Sequence, residues 1–240
     1  MRRLPNHSQY FLRSPSLVKE LIGHSLIRRT DTVIDIGAGS GIITSALATR
    51  CRNVIAYELD PRMLERLREN TADFANVRII NRDFLTDELP SGEYKVFANI
   101  PFHLSSPILR KLTEATNPAQ AIYLIVQKQF AKKLVMGDDH FTGQLGVMIA
   151  PLFAVRIRKP LRRTDYWPHP AVDTVLIELL FRDEPLIEPE RMPVFRKFIA
   201  DCFSTPKIFK ATPLAAVNIS PELKPSELTL DQWLRLFAAA

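Results

Sequence analysis

The chain has 240 residues, of which 46% are hydrophobic and 24% are charged. This composition is typical of a globular chain with one full core, and it excludes intrinsic disorder and a collagen-like repeat. The 32 basic residues outnumber the 26 acidic ones, so the formal net charge of +6 is compatible with a polyanionic partner.

Short apolar runs rich in β-branched residues alternate with amphipathic segments from residue 30 to about residue 130. This alternation predicts an α/β fold in which helices connect the strands of a mostly parallel sheet. An earlier helix is predicted over Pro15–Ile27, with Ser14 as its N-cap. The predicted strands are Val33–Ile36, Val54–Tyr57, Val77–Ile80, Lys95–Ala98 and Ile122–Val126. The connecting helices are predicted over Ile42–Thr49, over Pro61–Thr71 with Asp60 as the N-cap, and over Ser106–Ala115.

The pattern changes after residue 150, where two strand-like runs occur with no helix between them. These runs, Leu152–Ile157 and Thr174–Phe181, predict an antiparallel hairpin at one edge of the sheet. The loop between them contains several basic and aromatic residues, which include Trp167.

The C-terminal part has the pattern of a separate helical unit. Residues 183–189 are typical of a linker, and the amphipathic segments Met192–Cys202 and Thr229–Ala239 predict two helices. We therefore expect a large α/β domain over residues 1–182 and a small helical domain over residues 183–240.

The amino terminus, the apolar runs and the cysteines favour a reduced, non-membrane protein. Met1–His7 is basic but is not followed by an apolar core and a cleavage site, so we expect no signal peptide and a cytoplasmic location. The best candidate for a membrane span, Ala121–Val126, is far shorter than the roughly 20 residues that a bilayer requires. Cys51 and Cys202 lack the spacing of a zinc site or a disulfide framework, so we expect two thiols and no metal.

The strand Val33–Ile36 is followed by three alternating glycines and then by a helix. Glycines at such a turn let the backbone pass close to a ligand, because they have no Cβ and tolerate positive φ. The G-x-G-x-G spacing of Gly37, Gly39 and Gly41 differs from the G-x-G-x-x-G that holds a dinucleotide pyrophosphate. It therefore favours S-adenosylmethionine as the ligand, and a turn that binds no ligand is the alternative.

Polar side chains follow the next two predicted strands at their carboxyl ends. Glu58 is expected to accept hydrogen bonds from both ribose hydroxyls of a nucleoside bound across the switch point of the sheet. Asp60 directly precedes Pro61 and is better explained as the helix cap. After the third strand, Asp83 is a candidate acceptor for an adenine amino group, and Phe84 is a candidate contact of the adenine ring.

The fourth strand ends in the sequence Asn99-Ile100-Pro101-Phe102, which predicts a specific chemistry. The exocyclic amine of adenine is a poor nucleophile because its lone pair is delocalised into the ring. The side-chain oxygen of Asn99 and the carbonyl of Ile100, which Pro101 frees from the strand ladder, can accept both amine hydrogens and favour a tetrahedral nitrogen. Phe102 would stack on a base that has left its helix. An ordinary turn with a core phenylalanine is the alternative.

Several segments in this order resemble the rRNA adenine N6-methyltransferases, the family of the erythromycin-resistance (Erm) enzymes and the small-subunit rRNA adenine dimethyltransferases. The segments are His7–Leu12, Asp35–Gly41, the acids Glu58 and Asp83, Asn99–Phe102 and Tyr166–Asp173. The resemblance implies a Rossmann-like class I methyltransferase sheet and the transfer of one or two methyl groups from S-adenosylmethionine to adenosine in rRNA. The cofactor contacts that it implies are Gln9, Tyr10, Leu12, Gly37, Gly39, Gly41, Glu58, Leu59, Asp83, Phe84 and Asn99. Tyr10 stands where the family usually has Asn, so either backbone atoms make that contact or binding of the methionine end is altered.

Two details resemble the Erm branch of this family. Asn99-Ile100-Pro101-Phe102 is closer to the Erm form than the Asn-Leu-Pro-Tyr that is usual in the small-subunit enzymes, and the tail Leu230–Phe237 is similar to the end of Erm proteins. The resemblance thus implies 23S rRNA as the substrate and resistance to macrolide, lincosamide and streptogramin B antibiotics. The alternatives are a small-subunit (16S) dimethyltransferase and a relative that binds nucleic acid without catalysis. We expect a monomer with no membrane partner.

Basic side chains near the predicted hairpin are candidates for contacts with RNA phosphates. The densest segment contains Arg156, Arg158, Lys159, Arg162 and Arg163, and a second cluster, on a predicted helix, contains Lys128, Lys132 and Lys133. A solvated strand edge that its charges protect from pairing is the alternative for the first cluster. Trp167 is a second candidate for contact with the target base, and a buried anchor of the hairpin is the alternative.

Overall fold

The computed structural model describes residues 10–137 and 141–240 of the chain. The described residues form two compact units. The first unit runs to Lys128 and resumes over Ile157–Leu179, and the second contains Gln129–Arg156 and Leu180–Ala240. The domains expected from the sequence, 1–182 and 183–240, differ from this division chiefly in the segment 129–156, and they stay a prediction.

Nine strands and nine α-helices are present in the described residues. The strands are β1 (Phe11–Leu12), β2 (Thr32–Ile36), β3 (Asn53–Tyr57), β4 (Val77–Ile80), β5 (Lys95–Asn99), β6 (Ala121–Gln127), β7 (Phe153–Leu161), β8 (Tyr166–Trp167) and β9 (Thr174–Phe181). The helices are α1 (Pro15–Gly23), α2 (Ile42–Ala48), α3 (Pro61–Thr71), α4 (Ser105–Glu114), α5 (Lys128–Lys132), α6 (Gln144–Ile149), α7 (Met192–Ser204), α8 (Pro206–Lys210) and α9 (Leu230–Ala239).

The main sheet has seven strands in the order β4-β3-β2-β5-β6-β9-β7, and the pairings among β2, β3, β4, β5 and β6 are parallel. β9 and β7, the strands predicted as an edge pair, are neighbours at one end of the sheet. The strand order reverses between β2 and β5, so the carboxyl ends of β2 to β5 meet at a switch point. The glycine turn, Glu58, Asp83 and Asn99 all follow these strand ends. The predicted α/β architecture is confirmed.

A second, two-stranded sheet pairs β1 with β8 in antiparallel orientation. In this pair Phe11 lies opposite Trp167 and Leu12 lies opposite Tyr166. The backbone N–H of Arg13 extends the pairing by donating to the carbonyl of Asp165 at 3.0 Å. The segment before α1 is therefore tied to the loop between β7 and β9.

Helix α1 begins as predicted but ends earlier than its apolar pattern indicates. The Ser14 hydroxyl accepts a hydrogen bond from the N–H of Leu17 at 3.2 Å, so Ser14 is the N-cap. The predicted end at Ile27 is wrong, because the helix stops at Gly23. The Ser25 hydroxyl donates to a carbonyl of the last turn at 2.6 Å, and such a local bond competes with continued helix.

The second unit has its own apolar core around Trp233, which is fully buried. The ring of Phe203 stacks on Trp233 with centroids 5.8 Å apart, and Phe209 lies 5.9 Å from it. Helix α9 follows Thr229, whose hydroxyl accepts from the N–H of Gln232 at 3.3 Å in a capping box. The two predicted C-terminal helices, α7 and α9, are confirmed with small shifts at their ends. Sequence analysis missed α6 and α8, because runs of five or six residues are too short to display a helical period.

No helix in residues 10–137 and 141–240 is long and apolar enough to cross a membrane. The same residues contain no group of three or more His, Cys, Asp or Glu side chains that could hold a metal ion. Cys51 and Cys202 are buried free thiols, and desolvation raises the pKa of each to about 11.

Candidate active site

The turn after β2 requires glycine because its backbone has positive φ angles and because a Cβ would be crowded at two of its positions. Gly37, Gly39 and Gly41 have φ values of 70°, 57° and 92°, a region that L-residues with a Cβ rarely adopt. A Cβ on Gly39 would lie 3.1 Å from the ring of Phe11, and a Cβ on Gly41 would lie 2.8 Å from Leu67. The N–H groups of Gly37 and Ala38 both donate to the carbonyl at the end of β3 at 2.9 Å, which fixes the turn against that strand.

Glu58 is a buried carboxylate that connects two turns. It is 4% exposed, and its Oε2 accepts the N–H of Gly39 at 2.7 Å. Its Oε1 accepts the N–H groups of Leu59 and Asp60, each at 2.8 Å. A carboxylate has about four acceptor positions, so three backbone donors leave acceptor capacity for a ligand hydroxyl. Asp60, by contrast, accepts the N–H of Arg62 at 2.9 Å and caps α3, as predicted.

A cavity of about 160 Å³ lies between the ends of β2, β3 and β4. Its walls include Glu58, Leu59, Asp83 and Phe84. Phe84 is buried and meets Tyr57 edge to face, with ring centroids 5.2 Å apart. The exposed Asp83 accepts the N–H of Leu85 at 2.9 Å, which leaves further acceptor positions on its carboxylate. The walls thus combine apolar surface with two carboxylates.

A smaller cavity of about 40 Å³ adjoins the first, and the two share Gly37, Glu58 and Pro101 on their walls. Asn99 lies on its wall at the end of β5, and its Nδ2 donates to the backbone carbonyl of Tyr10 at 2.7 Å. The ring of Phe102 stacks against that of Tyr10, with centroids 5.4 Å apart. The strand-end sequence from Asn99 to Phe102 therefore faces the glycine turn.

The arrangement fits S-adenosylmethionine. A Cβ would be crowded at Gly39 and Gly41, the apolar cavity matches a nucleoside in character, and buried Glu58 keeps acceptor capacity beside that cavity. The predicted contact Gln9 lies outside the described residues, so its position is not part of this fit. Leu12 is buried in β1 and Gly41 faces α3, so the structure brings neither to a cavity wall.

Sequence analysis missed the place of Phe11 in this site. Phe11 lies on the wall of the smaller cavity, and its ring contacts the position above Gly39. Its only signal in the sequence is its place between Tyr10 and Leu12 in the leading motif. The side chain reaches the glycine turn because β1 pairs with β8, a contact between residues that are far apart in the sequence.

Asp35 is buried beneath the glycine turn, with an exposed fraction of 1%. Its Oδ2 accepts the hydroxyl of Thr44 at 2.7 Å, while its Oδ1 has no hydrogen-bond partner among the described residues. Its pKa is raised from 3.8 to about 7, chiefly because burial desolvates the carboxylate; the Thr44 hydrogen bond opposes this shift and the nearby Glu58 carboxylate adds to it. Sequence analysis assigns Asp35 only to the glycine motif and misses this environment.

We expect Asp35→Asn to remove a pH dependence of stability. Because the pKa of Asp35 is about 7 in the folded chain and 3.8 in the unfolded chain, its stabilising effect is full below pH 3.8 and declines as pH rises to 7. Across this window the wild type should lose up to about 1.4 kcal/mol per pH unit from this group. Urea unfolding of both proteins at pH 5, 6 and 7 measures the difference. Equal slopes in the two proteins would contradict the expectation.

Trp167 and its neighbour Tyr166 have opposite environments. The Trp167 side chain is 63% exposed, so the alternative of a buried anchor at this position is wrong. Tyr166 is fully buried instead, and its hydroxyl shares a hydrogen bond of 2.7 Å with Thr174 on β9. Trp167 is thus available at the surface next to Phe11 of the site.

The candidate RNA-binding side chains differ in their present partners. Arg158 pairs with Glu178 at 3.8 Å, and Arg163 pairs with Asp173 at 3.4 Å. The exposed residues of this set are Lys128, Arg156, Arg158, Arg162 and Arg163, and Lys132 is half-buried. Arg156 and Lys132 belong to the second unit and the others to the first. Their contacts with RNA stay a prediction.

Comparisons with known proteins agree with the chemistry of this site. A family model described as "Ribosomal RNA adenine dimethylase" matches residues 3–219. A "Ribosomal RNA small subunit methyltransferase A" from Levilactobacillus brevis is 30% identical over 257 aligned positions, which cover 95% of this chain and 86% of the relative. An "rRNA adenine N-6-methyltransferase" from Saccharopolyspora erythraea is 32% identical over 196 residues, 82% of this chain and 51% of that relative.

Solved structures of similar proteins have the same fold. The crystal structure of the 23S rRNA methyltransferase ErmE has a TM-score of 0.82 and 28% identity, covering 95% of this chain and 98% of that chain. A dimethyladenosine transferase from Plasmodium falciparum has a TM-score of 0.79 at 20% identity, covering 95% and 96%. The expected Rossmann-like class I methyltransferase fold is thereby confirmed. The chain belongs to the ribosomal RNA adenine dimethylase family, and it is an S-adenosylmethionine-dependent rRNA adenine methyltransferase.

Proposed function

We propose that the chain transfers methyl groups from S-adenosylmethionine to the exocyclic N6 of one adenosine in 23S rRNA. The observation that carries the proposal is the Asn99 amide, which a 2.7 Å hydrogen bond to Tyr10 holds on the wall of the cavity beside the glycine turn. The side-chain oxygen of Asn99 can accept a hydrogen bond at this point from the amine that attacks the methyl group.

The cofactor is held by residues at three strand ends. Glu58 would accept a hydrogen bond from a ribose hydroxyl at its remaining acceptor position, Asp83 would accept one from the adenine amino group, and Phe84 would contact the adenine ring. The glycine turn would support the methionine part, together with Gln9 and the backbone atoms of Tyr10 in the leading segment. When bound, S-adenosylmethionine supplies a methyl group that its positively charged sulfur activates.

The target base is held by the strand-end sequence after β5. The Asn99 Oδ1 and the Ile100 carbonyl accept the two amine hydrogens and favour the tetrahedral geometry of an attacking nitrogen. Pro101 removes a backbone donor at this point, and Phe102 stacks on the extruded base. The methylated nitrogen then releases a proton to water, so the reaction needs no metal ion.

We expect Phe102→Leu to lower kcat/KM for RNA about tenfold to 100-fold, because leucine has no π face for the target base. Phe102→Tyr keeps the ring and should remain within about threefold of the wild type. Methyl transfer from labelled S-adenosylmethionine to rRNA measures both variants. Equal activities of the two would argue against stacking.

The choice of 23S over 16S rRNA is supported by three similarities to the Erm branch. They are the form of the Asn99–Phe102 sequence, the tail Leu230–Phe237, and the likeness to the 23S rRNA methyltransferase ErmE at 28% identity. The second candidate is a 16S dimethyltransferase, which the name of the Levilactobacillus brevis relative favours.

Methylation of separated, protein-free 23S and 16S rRNA, followed by mapping of the modified base, distinguishes the candidates. We expect label in 23S rRNA at one adenosine. Label in two neighbouring adenosines of 16S rRNA would support the second candidate. Binding of RNA without transfer of label would support a non-catalytic relative.

The proposed reaction has a consequence for the cell. Methylation of 23S rRNA in the cytoplasm would give resistance to macrolide, lincosamide and streptogramin B antibiotics. Expression in a susceptible bacterium should raise the inhibitory concentration of all three classes, while an Asn99→Ala variant should not.

The enzyme would act as a monomer and contact the rRNA through Trp167 and through six basic residues. These residues are Lys128, Lys132, Arg156, Arg158, Arg162 and Arg163.

A further inference from the structure

Tyr10 contacts two residues that act on the target base, although it follows no strand of the main sheet. Its backbone carbonyl accepts the hydrogen bond from Asn99 Nδ2 at 2.7 Å. Its ring stacks on that of Phe102, with centroids 5.4 Å apart and planes inclined by 27°. All three residues are half-buried and lie on the wall of the smaller cavity.

The ring contact leaves no space for a base on that face of Phe102. A purine between two aromatic rings needs a separation of about 7 Å, which is two contact layers of about 3.5 Å each. The observed separation of 5.4 Å is too small for this. An adenine therefore reaches this face only after the Tyr10 ring has moved.

The backbone contact has a different effect. A carbonyl oxygen can accept a hydrogen bond only from the NH₂ group of the Asn99 amide. The bond to Tyr10 therefore fixes the orientation of the amide, with Nδ2 toward the Tyr10 carbonyl. The Oδ1 atom is thereby directed away from Tyr10, and no donor among the described residues is bound to it, so it can accept a hydrogen bond from an amine. Because the two contacts use separate parts of Tyr10, the ring can leave while the backbone bond remains.

We propose that Tyr10 is a positioning residue for the target base, whose ring covers the stacking face of Phe102 until an extruded adenine displaces it. The inference rests on the proposed function, since it concerns the base that Asn99 and Phe102 receive. A base opens the site only when its own stacking and its hydrogen bonds to Asn99 replace the lost ring contact. Adenine has both a large π face and an amine, whereas uracil has no amine to donate.

The test compares Tyr10→Ala with the matched variant Tyr10→Phe, because both keep the backbone carbonyl and only the first removes the ring. The probe is a six-residue oligoadenylate, with an oligouridylate of equal length as control, and the protein is saturated with S-adenosylhomocysteine. We expect Tyr10→Ala to bind oligoadenylate about threefold to tenfold more tightly than the wild type and oligouridylate equally. Tyr10→Phe should match the wild type for both.

A Phe102→Leu background supplies a second control. The gain from Tyr10→Ala should disappear there, since the covered ring is absent and the two substitutions are coupled. Equal or weaker binding of oligoadenylate by Tyr10→Ala, or an equal gain for oligouridylate, would overturn the inference.

Cofactor affinity separates this inference from a direct cofactor contact. We expect Tyr10→Ala to bind S-adenosylhomocysteine within about twofold of the wild type by calorimetry, and a loss of tenfold or more would overturn the inference. The proposed function fails separately, in the rRNA assay. A wild type that methylates only 16S rRNA would contradict the 23S assignment and leave an adenine-specific gain in Tyr10→Ala intact.

Discussion

Asn99→Ala is expected to lower the rate of methyl transfer about 100-fold to 1,000-fold, the usual effect of removing one preorganised hydrogen-bonding group from an active site. The side-chain oxygen that accepts from the target amine is lost, and the carbonyl of Tyr10 loses its donor as well. The affinity for S-adenosylhomocysteine should stay within about threefold, because Asn99 acts on the amine more than on the cofactor. Single-turnover methylation and calorimetry measure the two quantities.

Asn99→Asp is the informative companion to this variant. A carboxylate keeps an acceptor for the amine, but it cannot donate to the carbonyl of Tyr10. We therefore expect activity between that of Asn99→Ala and that of the wild type. If cofactor affinity fell as far as the rate in Asn99→Ala, then Asn99 would belong to the cofactor site, and its role toward the amine would be refuted.

Glu58→Gln should weaken the binding of S-adenosylhomocysteine about 100-fold or more. The carboxylate receives three backbone N–H groups, one from Gly39 on Oε2 and two on Oε1. In glutamine one of these oxygens becomes an NH₂ group, which would face a backbone donor and leave it unpaired in a buried position. Charge-assisted hydrogen bonds of this kind contribute about 1.5–3 kcal/mol each. The glycine turn would lose its support and the ribose would lose its acceptor.

Isothermal calorimetry with S-adenosylhomocysteine measures this loss, and thermal unfolding should show a midpoint that falls by several degrees. Glu65→Gln is the matched control, because Glu65 is exposed on α3 and away from both cavities. It should leave affinity and midpoint unchanged. Unaltered affinity in Glu58→Gln would exclude Glu58 as the ribose acceptor.

Much of the site can be predicted from the sequence because parallel strands align their carboxyl ends. Once β2, β3 and β5 are recognised, the residues that follow them must meet at one edge of the sheet. The different environments of Glu58 and Asp60 can be predicted as well. Asp60 stands directly before Pro61 and caps α3, which leaves Glu58 as the buried acid.

Contacts between distant residues limit what can be predicted. Leu26 continues the apolar period of α1, yet the helix ends at Gly23, and the N–H of Leu26 is bound by the hydroxyl of Tyr123 at 2.8 Å. Likewise, the places of Tyr10 and Phe11 depend on the two-residue strand β1, which is too short to display a period of its own. Tertiary pairing, and not local preference, positions these residues.

The two-stranded sheet of β1 and β8 connects the proposed RNA contact Trp167 to the glycine turn of the cofactor site. The ring of Phe11 contacts the glycine turn, and the residue paired with Phe11 in this sheet is Trp167, which is exposed at the surface. If RNA binding displaced Trp167, the displacement would pass through its pair with Phe11 to the glycine turn, where the cofactor would bind. We therefore expect the binding of RNA at Trp167 and the binding of S-adenosylmethionine at the glycine turn to be coupled.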